Sequence, residues 1–308
     1  MNVVAGNPQE RLSALTRPLH IPAASPLGLL LELTKFRIVA LSTLSAATGY
    51  LACARILNHG VVTSSLGVLL LAMGACAMNQ VQDREFDARM SRTCHRPIPR
   101  GAITPASALA IAWLLLAAGF LLLWLAHSPG AALIGLFAAA WYNGVYTYLK
   151  RVWSFAVVPG ALIGALPPAV GWAAAGGSPF DPRLLALAFF FFIWQVPHFW
   201  LLLFSFGRDY EQSGLPTPTR RFGERQFANL TFIWMLAAFA SSLLLPLYGL
   251  MYSPWTGLGL LACGIWFTRE SGKLMRGSLE PRVFRSAFRS INLYALCVMA
   301  LSILDALL

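Results

Sequence analysis

Asn79, Asp83 and Asp87 recur at four-residue intervals where a long apolar run ends. On a helix such positions drift only about 40° per step, so the three oxygen-bearing side chains share one face. Acids at the edge of an apolar segment are costly to keep there unless they have a partner or a task. Three hard oxygen donors on one face suit Mg²⁺, which binds one or two carboxylates directly and completes its shell with water and substrate phosphate oxygens. The same stretch, from Asn79 to Pro105, also carries Arg84, Glu85, Arg89, Arg92, Arg96 and Arg100. Guanidinium forks hold phosphates in bidentate fashion. A metal ion with the phosphate groups of a substrate is the chemistry that this pattern fits. A solvated loop whose arginines only set topology is the plainer alternative.

Three further groupings add to it. Tyr146 to Arg151 closes an apolar run with Asn143 one turn inward. It reads either as an aromatic belt with a basic anchor or as Lys150 and Arg151 aimed at the same phosphates. Trp194-Gln195-Val196-Pro197-His198-Phe199 lies inside another apolar run. Pro197 should kink that helix, and His198 beside Gln195 is an intramembrane polar pair. Its imidazole could serve as base, steady a cation or ligate a haem iron. Asp209 opens a third grouping, a second candidate metal ligand, but position i+4 there is Ser213 rather than an acid. Arg220, Arg221 and Arg225 follow it, as anion contacts or as topology charges.

The elements that position these residues are membrane helices. Of the 308 residues 57% are apolar and only 11% charged, against about 25% charged in a typical soluble protein. Mean hydropathy is +0.65. Runs near the roughly 20 residues that a span needs fall at 38–55, 62–78, 105–126, 129–148, 155–175, 183–206, 227–249, 253–268 and 288–308. About nine helices are therefore expected, the eighth being short and Gly-rich. Alternating these spans leaves only Arg55 and Arg183 on the side opposite all other basic residues. The positive-inside rule then makes the charged face cytoplasmic, with the N-terminus inside and the C-terminus outside. The net charge of +11 is thus a topology signal, and no nucleic-acid partner is expected. The cysteines Cys53, Cys76, Cys94, Cys263 and Cys297 lack metal-ligand spacing, and their odd number argues against a disulfide framework. Residues 1–28 form a tail without the apolar core of a signal peptide, leaving 29–308 as one transmembrane domain. Pro159, Pro167 and Pro168, with Gly160, Gly164 and Gly171, should make the fifth helix irregular and let backbones approach closely.

Taken together these residues resemble the UbiA superfamily of intramembrane prenyltransferases, and within it the branch that farnesylates haem. The superfamily pattern N-x-x-x-D-x-x-x-D followed by R-T-x-x-R-P is met by Asn79, Asp83, Asp87, Arg92, Thr93, Arg96 and Pro97. The segments Tyr146–Arg151, Ala165–Trp172, Trp194–Phe199 and Asp209–Pro216 look like the haem branch, as does the Thr34-Lys35 start of the first helix. After Pro216 the chain departs from the branch, reading Thr217-Pro218-Thr219. The resemblance implies an all-α, polytopic bundle around a central cavity, set in a bacterial inner membrane with its active site at the cytoplasmic face. It implies Mg²⁺-assisted transfer of farnesyl from farnesyl diphosphate to a vinyl group of haem b, giving haem O. On this reading Asn79, Asp83, Asp87 and Asp209 hold the metal, and Lys35, Arg92, Arg96, Lys150 and Arg151 hold the diphosphate. Asp83, Asp87, Lys150 and His198 are the catalytic candidates; His198, Gln195 and Tyr146 are the haem-side ones. A haem A synthase or terminal oxidase assembly factor is the partner left open. The rival readings are prenylation of an aromatic or quinone precursor and a membrane haem carrier.

Overall fold

The structure, a computed structural model, describes residues 25–276 and 281–308, so most of the expected N-terminal tail lies outside it. The regular structure of the described residues is all helix, with no strand among them. In chain order the main helices are α1 (Pro26–Leu33), α2 (Phe36–Ala54), α3 (His59–Arg89), α4 (Pro105–Ala126), α5 (Pro129–Ala140), α6 (Leu162–Ala174), α7 (Pro182–Gln212), α8 (Glu224–Ser242), α9 (Pro254–Ser271) and α10 (Pro281–Leu307).

Local sequence explains where several begin. Proline stands in the first turn of α1, α4, α5 and α7, where its missing N–H costs nothing. The residue before each caps the turn: Ser25, Thr104, Ser128 and Asp181 accept from backbone N–H groups two or three residues on.

Seven helical segments of the described residues are long and apolar enough to cross a membrane: α2, α3, α4, Val157–Ala174 around α6, α7, Glu224–Leu247 around α8, and α10. This is two fewer than the nine expected. The run at 129–148 is helical, but a π segment at Trp141–Tyr146 interrupts it after α5. The short, Gly-rich run at 253–268 forms α9, whose last turn brings in Arg269 and Glu270.

Packing in the middle of the bundle depends on missing side chains. A Cβ on Gly171 of α6 would lie 1.9 Å from the carbonyl oxygen of Ala46 on α2. One on Gly49 of α2 would lie 2.0 Å from that of Pro168. The α2 and α6 backbones therefore touch, as the Gly and Pro content of the fifth run predicts. Pro197 does not interrupt α7, which runs unbroken through it.

Two helices overshoot. α3 and α7 have 31 residues each, well above the roughly 20 that cross the hydrocarbon layer. The surplus at the C-terminal end of α3 bears Asp83 and Asp87, and that of α7 bears Asp209. At the other end of the bundle, Arg55 and Arg183 each have an acidic partner, Asp305 at 3.5 Å and Asp181 at 2.6 Å. Buried Asp305 also accepts from the N–H groups of Tyr252 and Ser253 and from the Thr256 hydroxyl, which ties the α8–α9 connection to the end of α10.

Candidate active site at the charged end

Asn79, Asp83 and Asp87 are all buried and line one face of α3, as their spacing predicts. Asn79 is the hub. Its Oδ1 accepts from Lys35 Nζ at 2.8 Å and from the Tyr142 hydroxyl at 3.0 Å. Its Nδ2 donates to Asp83 Oδ2 at 2.9 Å and to Thr147 Oγ1 at 3.0 Å. Asp83 is paired with Lys150, which donates to Oδ2, and with Arg151, whose Nη2 lies 3.3 Å from Oδ1. Arg151 also donates to the Gln82 carbonyl at 2.8 Å. One turn on, Arg96 Nη1 sits 2.7 Å from both oxygens of Asp87, and Thr93 donates to the Asp87 carbonyl at 3.0 Å. Thus the R-T-x-x-R turn folds back onto the helix that precedes it.

Three local conformations deliver these groups. Lys35 precedes α2 in the left-handed region, φ 53° and ψ 45°, which costs a non-glycine residue on the order of 1 kcal/mol or more. The strain coincides with an ammonium aimed at Asn79. Lys35 also borders a cavity of about 590 Å³ walled by Glu32, Phe36 and Arg37. The π segment Trp141–Tyr146 is the wider turn that recurs at functional sites. Its Tyr142 reaches Asn79, and its Asn143 carbonyl accepts from Gln82 at 3.0 Å. In the last turns of α7, Asp209 accepts from Ser91 at 2.7 Å and Tyr210 from Arg92 at 3.3 Å, while Arg92 stacks over the Phe206 ring at 4.8 Å. The two acidic elements of the sequence therefore meet at one mouth. Asp209 joins it through the Ser91 loop, not through a direct bond to the α3 carboxylates.

The electrostatics are lopsided. Within the connected cluster Lys35, Arg96, Lys150 and Arg151 face two carboxylates, Asp83 and Asp87. Burial, reinforced by the Arg96 and Lys150 charges, lowers the Lys35 ammonium from its usual 10.5 to about 8. Burial likewise lowers Lys150, opposed by Asp83. Arg151 Nε and the side-chain oxygens of Gln82 and Asn143 are buried without a hydrogen-bond partner. Excess positive charge and idle buried donors and acceptors call for an anion and its hydration or metal shell. Among the described residues no three His, Cys, Asp or Glu side chains converge on one point. Asp83, Asp87 and the Asn79 amide fit the sparse oxygen set of Mg²⁺, which takes only one or two carboxylates directly.

His198 lies elsewhere. Its Nδ1 is 2.9 Å from Asn292 Oδ1 on α10, and its ring packs against Trp194 and Phe288. Eleven residues separate it from Asp209, about 16 Å along α7. Gln195 is buried, with Oε1 placed where a Cβ on Gly164 would stand. Tyr146 stacks on Tyr142 at 6.0 Å and lies under Lys150, so it belongs with the acidic cluster. Tyr142, Ser91 and Asn292 carried no motif signal of their own; only the π turn and the helix pairing bring them in, whereas Thr147 stands in the Tyr146–Arg151 motif. Arg225 donates to the Leu274 carbonyl at 3.1 Å, which serves the α8–α9 end.

Residues 40–292 match the UbiA prenyltransferase family. The chain belongs to that family. It is 41% identical over 228 residues to a protoheme IX farnesyltransferase of Geobacter sulfurreducens, covering 73% of this chain and 84% of that one. To one from Oleidesulfovibrio alaskensis it is 33% identical over 276 residues, covering 90% and 95%. In fold it is similar to digeranylgeranylglyceryl phosphate synthase, TM-score 0.73 at 16% identity, covering 91% of this chain and 98% of that one. A UbiA homologue from Archaeoglobus fulgidus, bound to GPP and Mg²⁺, superposes at TM-score 0.56 and 16% identity, covering 91% and 99%.

Proposed function

We propose that this UbiA-family chain transfers farnesyl from farnesyl diphosphate to a vinyl group of haem b, giving haem O, at the cytoplasmic face of a bacterial inner membrane. The observation that carries the donor half is the buried cluster in which four cations face two carboxylates. The acceptor half rests on the name shared by relatives at 33–41% identity.

Asn79, Asp83, Asp87 and Asp209 would hold Mg²⁺, which would supply Lewis-acid help to the leaving diphosphate. The remaining work falls to the chain's own groups. Lys150, Arg151 and Arg96 now neutralise the carboxylates; on substrate binding they exchange these for phosphate oxygens. Lys35 and Arg92 close the site from α2 and the mouth loop. Charge that develops as the allylic C–O bond breaks is met by groups already in place. The diphosphate leaves with the electron pair, the vinyl carbon attacks the allylic carbon, and water adds to the resulting cation and loses a proton. The lipid-embedded helices keep stray water from the allylic cation until the vinyl carbon has attacked it. Haem O released into the bilayer passes to a haem A synthase or a terminal oxidase assembly factor.

The test supplies purified protein in nanodiscs with farnesyl diphosphate, Mg²⁺ and either haem b or a 4-hydroxybenzoate acceptor, and reads products by mass spectrometry. Haem O is expected from haem b alone. Prenylated benzoate with no haem O would move the chain to another branch of the family.

A further inference from the structure

The four residues Trp194, His198, Phe288 and Asn292 form a square between α7 and α10, each pair one turn apart on its helix. Asn292 Nδ2 donates to the Phe288 carbonyl at 2.6 Å. A backbone carbonyl only accepts, so the amide nitrogen must face it and Oδ1 must face the imidazole. Oδ1 also only accepts, and it lies 2.9 Å from His198 Nδ1. Nδ1 therefore carries the proton. In a neutral imidazole the lone pair is then on Nε2, which makes no hydrogen bond among the described residues. The Trp194 and Phe288 rings hold the imidazole from two sides, at centroid distances of 4.9 and 5.0 Å. Trp194 is itself anchored through Nε1 to the Ile291 carbonyl at 2.9 Å.

We infer that Asn292 is a positioning residue that locks His198 in the Nδ1–H tautomer, so that Nε2 is the atom offered to the iron of the haem substrate. This deepens the haem-farnesylation reading and rests on it. A histidine ligand whose other nitrogen donates to a fixed acceptor is the usual arrangement at metal centres, and loss of that acceptor weakens binding about ten- to a hundred-fold. About 16 Å along α7 separates His198 from Asp209, which leaves room for the macrocycle between an iron at His198 and the Asp209 end of that helix.

The experiment titrates ferric haem b into the full-length protein in nanodiscs, following the Soret band and the electron paramagnetic resonance spectrum, with haem O formation assayed on the same samples. The wild type is expected to show a nitrogen axial ligand. His198→Ala should lose it and regain it with added imidazole, a rescue that a merely structural role would not give. Asn292→Leu should weaken haem binding about ten- to a hundred-fold, whereas Asn292→Asp, which still accepts from Nδ1–H, should retain the wild-type ligation. Wild type and His198→Ala sharing one haem spectrum while haem O still forms would overturn the inference and leave the reaction standing. Asn292→Leu binding as tightly as the wild type would overturn the role of Asn292. Absence of both haem binding and haem O in the wild type would overturn inference and reaction together.

Discussion

Lys35 shows what single residues contribute at the charged end. It spends backbone strain to reach Asn79, and its ammonium is lowered to about 8 by burial. A lysine with a lowered value is cationic below that pH and neutral above it. Its share of diphosphate binding should therefore be present at pH 7 and fade as pH rises through about 8. The KM for farnesyl diphosphate is expected to climb between pH 7 and 9.5 in the wild type and to stay flat in Lys35→Arg, whose guanidinium keeps its proton. A wild-type KM that does not move over that range would remove Lys35 from the diphosphate site. At this scale the sequence was informative where spacing repeats. Asn79, Asp83 and Asp87 fall on one face because i, i+4, i+8 leaves no choice on a helix. Tyr142 and Asn292 were illegible because their roles depend on a π turn and on a helix pairing across 94 residues, which no local pattern encodes.

The helices were legible through length and punctuation, and the count was least legible where both were weak. Four Pro-started helices announce themselves through a capping residue and a following apolar run. The π interruption after α5 was hidden, since Trp141–Tyr146 contains no proline to signal a break in the helix. Close backbone approach at α6 was foreseeable from its glycines, though not that α2 is the partner, and it gives a sharp expectation. Gly171→Ala places a methyl 1.9 Å from the Ala46 backbone oxygen, where no side chain can swing away. Overpacking of this kind costs about 1–3 kcal/mol, so the melting temperature in detergent should fall by several degrees. Gly257→Ala in α9 meets nothing within 4 Å and should leave the melting temperature unchanged or raise it. Equal behaviour of the two variants would refute the α2–α6 contact.

As a whole the molecule is electrically polar, with basic residues gathered at the end where α3, α7 and the Ser91–Arg100 loop meet and with the opposite arginines neutralised by Asp305 and Asp181. Half-buried Cys94 sits on the mouth loop and reports which side that end faces. A membrane-impermeant maleimide should label it in inside-out vesicles and not in right-side-out ones, with Cys94→Ser as the blank; labelling from the outside would reverse the topology. The central claim is that the Asn79–Asp83–Asp87 face, in its surplus of cations, activates a prenyl diphosphate for attack by haem. The most direct measurement follows diphosphate release and haem O together, for the wild type and for an Asp83→Asn/Asp87→Asn variant of matched melting temperature. Metal-dependent release of diphosphate and haem O by the wild type, with both reduced at least about a hundredfold in the variant, is the result expected. Comparable haem O formation by the variant would contradict the account.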